Sequence, residues 1–192
     1  MRIAITGGIG SGKSYVSKLL ADFGIVVYDC DDAAKRLIRT SPTLQASINE
    51  TMGRDVFPNG QLDKAALSRY IVESEENTRK INSVVHPAVA EDFLKSGLEW
   101  LESAILFESG FYDRVKFDYI VCVSSPLELR ISRLMSRDNL SREKVMEWIG
   151  RQMPQEEKVN RADFEIINDG LTDLKSQIAE LVNTVNKNYK YK

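Results

Sequence analysis

Cysteine and histidine are scarce in this chain: 192 residues carry two cysteines, Cys30 and Cys122, and one histidine, His86. The cysteines lie far apart and form no Cys-x-x-Cys pair, which excludes a thiolate metal site and a disulfide framework and fits a reducing compartment. Long apolar runs are missing too, and nothing approaches the length of a membrane span, so no membrane partner is expected. No basic stretch, apolar core and cleavage site of a secretory leader stands at the start, and a cytoplasmic location is expected. Charge of one sign is also lacking. With 26 basic and 28 acidic residues and a net charge of -2, no nucleic-acid partner is expected, although local basic clusters can still meet a phosphorylated small molecule. Internal repeats and low-complexity tracts are absent. What is present is 43% hydrophobic content, enough for one sizeable core with room for insertions.

The most informative stretch is Gly7-Gly8-Ile9-Gly10-Ser11-Gly12-Lys13-Ser14, which fits the phosphate-loop pattern G-x-x-x-x-G-K-[ST]. Gly8, Gly10, Ser11 and Gly12 let backbone N–H groups close around phosphate oxygens, and the following helix offers unpaired donors and a positive dipole end. Lys13 can reach the β- and γ-phosphates, and the Ser14 hydroxyl can ligate Mg²⁺. Residues 2–6 read as a buried strand, while Val16, Leu19 and Leu20 recur at helical spacing, so the strand–loop–helix context is present. This predicts a nucleotide site with Mg²⁺.

Further strands are predicted at 25–28, 103–107, 118–123 and 164–167, alternating with helices, which gives an α/β fold with a five-stranded parallel sheet. The first two strands should bring the phosphate loop and Asp29-Cys30-Asp31-Asp32 to one sheet edge. Residues 40–97 read as short helices without a strand, with Asp63 as a cap and Pro87 in the first turn of a helix. Residues 1–39, 98–132 and 162–192 then form the nucleotide core, 40–97 a helical acceptor lobe and 133–161 a basic lid. After Pro126, Arg130, Arg133 and Arg137 fall along one helical stripe; Ser141 caps the next helix between Leu140 and Val145, and Pro154 ends it after Arg151. Lys187, Lys190 and Lys192 are assigned to a solvated tail.

Several residues carry two readings on the sequence alone. Asp31 can deprotonate an acceptor hydroxyl or cap a helix, and Asp29 can orient its neighbour, hold a metal-bound water or cap. Glu108, expected at the end of the third strand, is a metal-water residue or an ordinary strand-end charge. Arg133 and Arg137 can neutralise a transferring phosphoryl group, whereas Arg130 reads as a surface salt-bridge residue. His86 reads as a structural imidazole or an acceptor contact. Asp-x-x-Gly and Asn-Lys-x-Asp elements do not occur, which excludes a GTPase switch, and the short chain with its insertion and basic segment favours a small-metabolite kinase.

Taken in order, Thr6 to Ser14, Asp29-Cys30-Asp31, His86-Pro87, Leu106-Phe107-Glu108, Arg133 with Arg137-Asp138, Arg151 to Pro154 and Ile167-Asn168-Asp169-Gly170 make the chain similar to the dephospho-CoA kinase family over nearly its whole length. That resemblance implies ATP-dependent phosphorylation of the ribose 3′-hydroxyl of dephospho-CoA, with ATP and dephospho-CoA as partners. It implies Asp31 as general base, Lys13 and Arg137 at the transferring phosphate, and Gly8 to Tyr15 with Asn168 around ATP. Asp29, His86 and Glu108 would lie near the acceptor, with Arg133, Arg137 and Arg151 in the lid. A monomer is expected. Tyr15, Cys30 and Ala104 stand where the family more often has Thr, Ala and Pro. The alternatives are another kinase of this loop type and a nucleotide-binding regulatory protein.

Overall fold

The computed structural model describes residues 1–189. In chain order these form β1 (Ile3–Thr6), α1 (Lys13–Leu20), β2 (Val27–Asp29), α2 (Cys30–Thr40), α3 (Pro42–Met52), α4 (Lys64–Glu73), α5 (Glu75–Ser96), β3 (Trp100–Glu102), α6 (Phe111–Arg114), β4 (Tyr119–Ser124), α7 (Leu127–Asp138), α8 (Arg142–Gly150), α9 (Gln155–Asn160), β5 (Phe164–Ile167) and α10 (Leu174–Tyr189). The strands make one five-stranded sheet in the order β2-β3-β1-β4-β5, and the β1–β3, β1–β4 and β4–β5 pairs are parallel. Because central parallel strands are covered on both faces, β1 is buried at every residue and reads as a continuous apolar run rather than an alternation.

The chain folds as two compact units: Met1–Tyr28, Leu98–Glu108 and Lys116–Lys192 form the first, Asp29–Gly97 and Ser109–Val115 the second. In unit 1, Ile3, Ile5, Val121 and Val123 from the sheet meet Val16 and Leu20 of α1 and Ile178, Leu181, Val182 and Val185 of α10. Burying each such side chain contributes about 1.5–3 kcal/mol. A smaller cluster of Ile131, Leu134 and Val145, with Ile9, Leu140 and Ile149 packed against it, joins α7 to α8. The segment expected as a separate lid, 133–161, therefore belongs to unit 1. In unit 2, α2, α3, α4 and α6 all pack against α5. Unit 2 begins at Asp29 rather than at residue 40, since α2 lies on α5 and is tied to it by Arg36–Asp92 at 2.5 Å.

Three predicted elements differ. The third strand is Trp100–Glu102, and residues 104–110 are turn. Leu106 is nevertheless fully buried, so the apolar run that suggested a strand packs without a ladder. The second strand is Val27–Asp29 rather than residues 25–28. Pro87 does not start a helix but sits inside the 22-residue α5, whose buried face of Ile81, Val85, Val89, Ala90 and Phe93 runs on both sides of it. Packing on both sides offsets the one backbone bond that proline removes. Lys187 is exposed, and Lys190 and Lys192 lie outside the described residues. Among the described residues, no helix is long and apolar enough to cross a membrane.

Candidate functional site

Parallel register sets the site in unit 1. With Ile5 opposite Glu102, Thr6 opposite Cys122 and Ser124 opposite Ile167, β1, β3, β4 and β5 end at the same edge of the sheet, where open parallel sheets bind ligands. The loop after β1 turns on a Ser11 N–H to Gly8 carbonyl bond of 3.1 Å, and Gly12 accepts the first helical bonds from Tyr15 and Val16 at 3.0 Å. Gly12 has φ 94°, and a Cβ there would collide with the amide nitrogen of Asn168, so both backbone and space require glycine.

Asn168 is buried, and its side chain serves the loop: Nδ2 donates to the Ser11 carbonyl at 2.8 Å while Oδ1 accepts from Arg133 at 3.1 Å. Its own carbonyl accepts from the Ser125 hydroxyl at 2.8 Å. Gln152 holds the other side of the loop by accepting from the Ile9 N–H at 2.8 Å. Lys13 is mostly buried, with Nζ 3.3 Å from the Gly8 carbonyl. Tyr15, by contrast, is 55% exposed.

The carboxylate at the end of β3 is Glu102, which sequence reasoning missed because the strand was placed too late. Glu102 accepts from the Ser14 hydroxyl at 3.0 Å and from the Ser17 hydroxyl at 2.9 Å. An acidic residue amid the apolar stretch 100–107 was the available signal. Glu108 is not at a strand end but in the turn beyond, and it accepts from Lys158 at 2.8 Å and from the Met153 N–H at 2.9 Å. The Ser11 hydroxyl and the Thr6 hydroxyl are buried without a hydrogen-bond partner among the described residues, polar groups left over at the root of the loop.

Ser14 and Glu102 offer hard oxygen donors, and among the described residues no cluster of three metal-ligating side chains occurs. That donor set fits Mg²⁺, which takes one or two protein oxygens and keeps water and phosphate for the rest.

Within unit 2, the two aspartates divide their work. Asp29 is the α2 cap, its Oδ1 accepting from the N–H groups of Asp31 at 2.9 Å and Asp32 at 3.0 Å. Asp31 lies in the first turn with its side chain exposed, and among the described residues its carboxylate has no hydrogen-bond partner. His86 is near enough to feel that carboxylate. Burial holds the imidazole below its ordinary range; the Ser109 carbonyl, 3.2 Å from Nδ1, opposes the shift, Arg114 adds to it and Asp31 opposes it.

The arginines separate sharply. Arg133 donates to the carbonyls of Gly10, Ser11 and Asn168 and to the Ser125 hydroxyl. Arg137 is exposed and forks onto Asp138 at 2.7 and 2.9 Å, and Arg151 pairs with Glu147. The expectation for Arg130 is corrected: it is not a surface salt-bridge residue but 5% exposed, with Nε donating to the Ile9 carbonyl at 3.0 Å.

A parallel sheet whose central strand feeds a glycine loop and a Lys-Ser helix start, with cations gathered on the loop carbonyls, defines a phosphate-loop kinase core. The sequence model of the dephospho-CoA kinase family matches residues 1–173. A dephospho-CoA kinase from Bacteroides fragilis is 46% identical over 189 residues, covering 95% of this chain and 91% of that protein. A crystal structure of a Thermus thermophilus protein superposes with a TM-score of 0.78 at 32% identity, covering 98% of this chain and 97% of the other. The dephospho-CoA kinase of Campylobacter jejuni, at 21% identity and a TM-score of 0.68 over 98% of both chains, shares the fold. The chain belongs to the dephospho-CoA kinase family.

Proposed function

We propose that this protein transfers the γ-phosphoryl group of ATP to the ribose 3′-hydroxyl of dephospho-CoA, giving CoA and ADP. Family membership supports the substrate. The chemistry rests on one observation: Asp29 takes the helix cap, leaving the exposed Asp31 carboxylate two residues on without that duty. Capping and proton abstraction competed for Asp31 in the sequence, and the cap now has an owner.

In this reading unit 1 holds the donor and unit 2 the acceptor. Loop N–H groups and Lys13 bind the phosphates, and Asn168 with Arg133 fixes the loop beneath the nucleotide. Mg²⁺, held by Ser14 with Glu102 behind it, would neutralise charge on the phosphate oxygens. Asp31 accepts the hydroxyl proton, with His86 and Asp29 beside the acceptor; Arg137 and Arg151 release their surface carboxylates to meet developing negative charge. Residues 40–97 form the acceptor lobe and 133–161 the lid. A monomer working in the cytoplasm is the simplest assembly.

The test is an ADP-release assay with Mg-ATP in which dephospho-CoA, nucleoside monophosphates and shikimate are offered in turn. ADP formation should depend on dephospho-CoA; equal release with and without it rejects the reading. Asp31→Asn should lower kcat by about 10²-fold while ATP binding persists, and near-normal turnover would remove Asp31 from the chemistry.

A further inference from the structure

Four successive carbonyls of the phosphate loop each accept from a cation. Lys13 donates to Gly8, Arg130 to Ile9, and Arg133 to both Gly10 and Ser11. Of the N–H groups between these carbonyls, Ile9 donates to Gln152 and Ser11 to the Gly8 carbonyl, which leaves that of Gly10, with those of the helix start, for an anion. Of the three cations, Arg130 is the anomaly. Arg36, Arg137, Arg142, Arg151 and Arg161 all pair with carboxylates at the surface. Arg130 is 5% exposed, and among the described residues no carboxylate lies within ion-pair distance and its two terminal nitrogens make no hydrogen bond.

The guanidinium is packed closely against the loop at Gly8 and Ile9. A Cβ on Gly8 would lie 2.7 Å from Cζ of Arg130 and closer still to one terminal nitrogen, so Gly8 is bare where the cation needs room. Ile131 and Leu134 on the same helix are buried beside it, and the uncharged Cys122 thiol is close enough to be felt. A cation this largely desolvated and without a counter-ion is costly, and part of that cost is recovered by any state that brings negative charge nearby.

We propose that Arg130 is a positioning residue of the nucleotide site: a built-in cation behind Gly8 and Ile9 whose missing counter-ion is the polyphosphate held on the other side of the loop. This rests on the reading of that loop as the ATP phosphate site. It makes an otherwise unfavourable buried charge part of ligand affinity, so that the unliganded protein carries the cost and the liganded one does not.

The experiment titrates inorganic pyrophosphate and ATP calorimetrically into the wild type and the Arg130→Gln, Arg130→Met and Arg130→Lys variants, and records thermal unfolding with and without pyrophosphate. The neutral variants should bind both ligands about tenfold more weakly, with the loss in KM for ATP rather than in kcat, while their unliganded midpoints hold or rise. Arg130→Lys should stay within about threefold of wild-type affinity, because charge rather than the planar fork is what counts. Binding by Gln and Met variants within twofold of wild type overturns the proposal. So does a lysine variant as weak as the glutamine one, or unliganded forms that unfold early or fail to fold with their ligand-induced shift unchanged, since Arg130 would then be a packing residue. A wild type that binds pyrophosphate through Arg130 but does not phosphorylate dephospho-CoA would defeat the proposed activity and leave this inference standing.

Discussion

Removing the Glu108 carboxylate should cost more stability than any surface substitution in the chain. Its partner Lys158 has a side chain that is 0% exposed, with Nζ 2.8 Å from Glu108 Oε1 and 2.5 Å from the Ala104 carbonyl. Glu108→Ala leaves a fully buried ammonium with a neutral acceptor and strips the Met153 N–H of its partner. Breaking a buried pair from one side typically costs about 3–5 kcal/mol. Glu108 is itself 23% exposed, so water can replace part of the lost interaction, and about 2–4 kcal/mol is expected. For a chain of this length that lowers Tm by about 4–16 °C. Glu108→Gln keeps an acceptor for Met153 and should fall between wild type and alanine. The double variant Glu108→Leu with Lys158→Met should recover most of the loss, because no charge is then left buried. Urea unfolding followed by circular dichroism measures all four proteins. An alanine variant with an unchanged midpoint would refute the argument, and a tenfold rise in KM for dephospho-CoA at unchanged stability would instead return Glu108 to the acceptor.

Other consequences can be checked directly. Since burial holds the folded His86 pKa below its unfolded value of about 6.5, the unfolded chain takes up the proton first; stability is complete above that value and declines as pH falls through it toward the folded pKa. His86→Gln should flatten the pH dependence of the urea midpoint between about pH 7 and 5, and an unchanged slope would remove His86 as its source. Burial pushes the Cys122 thiol up to about 11, so at pH 8 a disulfide reagent should modify it only as fast as the protein opens; rapid labelling of the native protein would contradict the buried placement. Gln177 brackets Ile167, accepting from its N–H at 2.8 Å and donating to its carbonyl at 3.0 Å, immediately before Asn168. Gln177→Ala should raise KM for ATP by about three- to tenfold with little change for dephospho-CoA, as initial rates against each substrate would reveal.

Much of the fold was legible because its signals are local. The loop fixes its own strand and helix, β4 is an unbroken apolar run, and the Asp63 and Ser141 caps accept from the backbone three residues on. The failures share a cause of the opposite kind. Glu102 ends a buried strand only because Ser14 and Ser17, distant in sequence, supply hydroxyls to it. Arg130 is charged and sits on a helix stripe like a surface residue, and only the fold puts the Ile9 carbonyl and Gly8 against it. Pro87 carries a helix-start preference that burial on both sides of α5 overrides. In the site, Asp29 and Asp31 were both legible as candidates. Which of them caps depended on which aspartate ends β2, and that boundary differed from the predicted strand.

The position of β1 in the middle of the sheet sets an order on biosynthesis. Its neighbours begin at Trp100 and Tyr119, so β1 leaves the ribosome before either and has nothing to pair with until residues 100–102 have been added, and the outer strand after β4 arrives only at Phe164. The helices of residues 29–97 emerge in the interval and find one another at short range. A nascent chain stalled before residue 119 would expose an apolar ribbon with one flank bare, which makes this the stretch where a chaperone has most to protect.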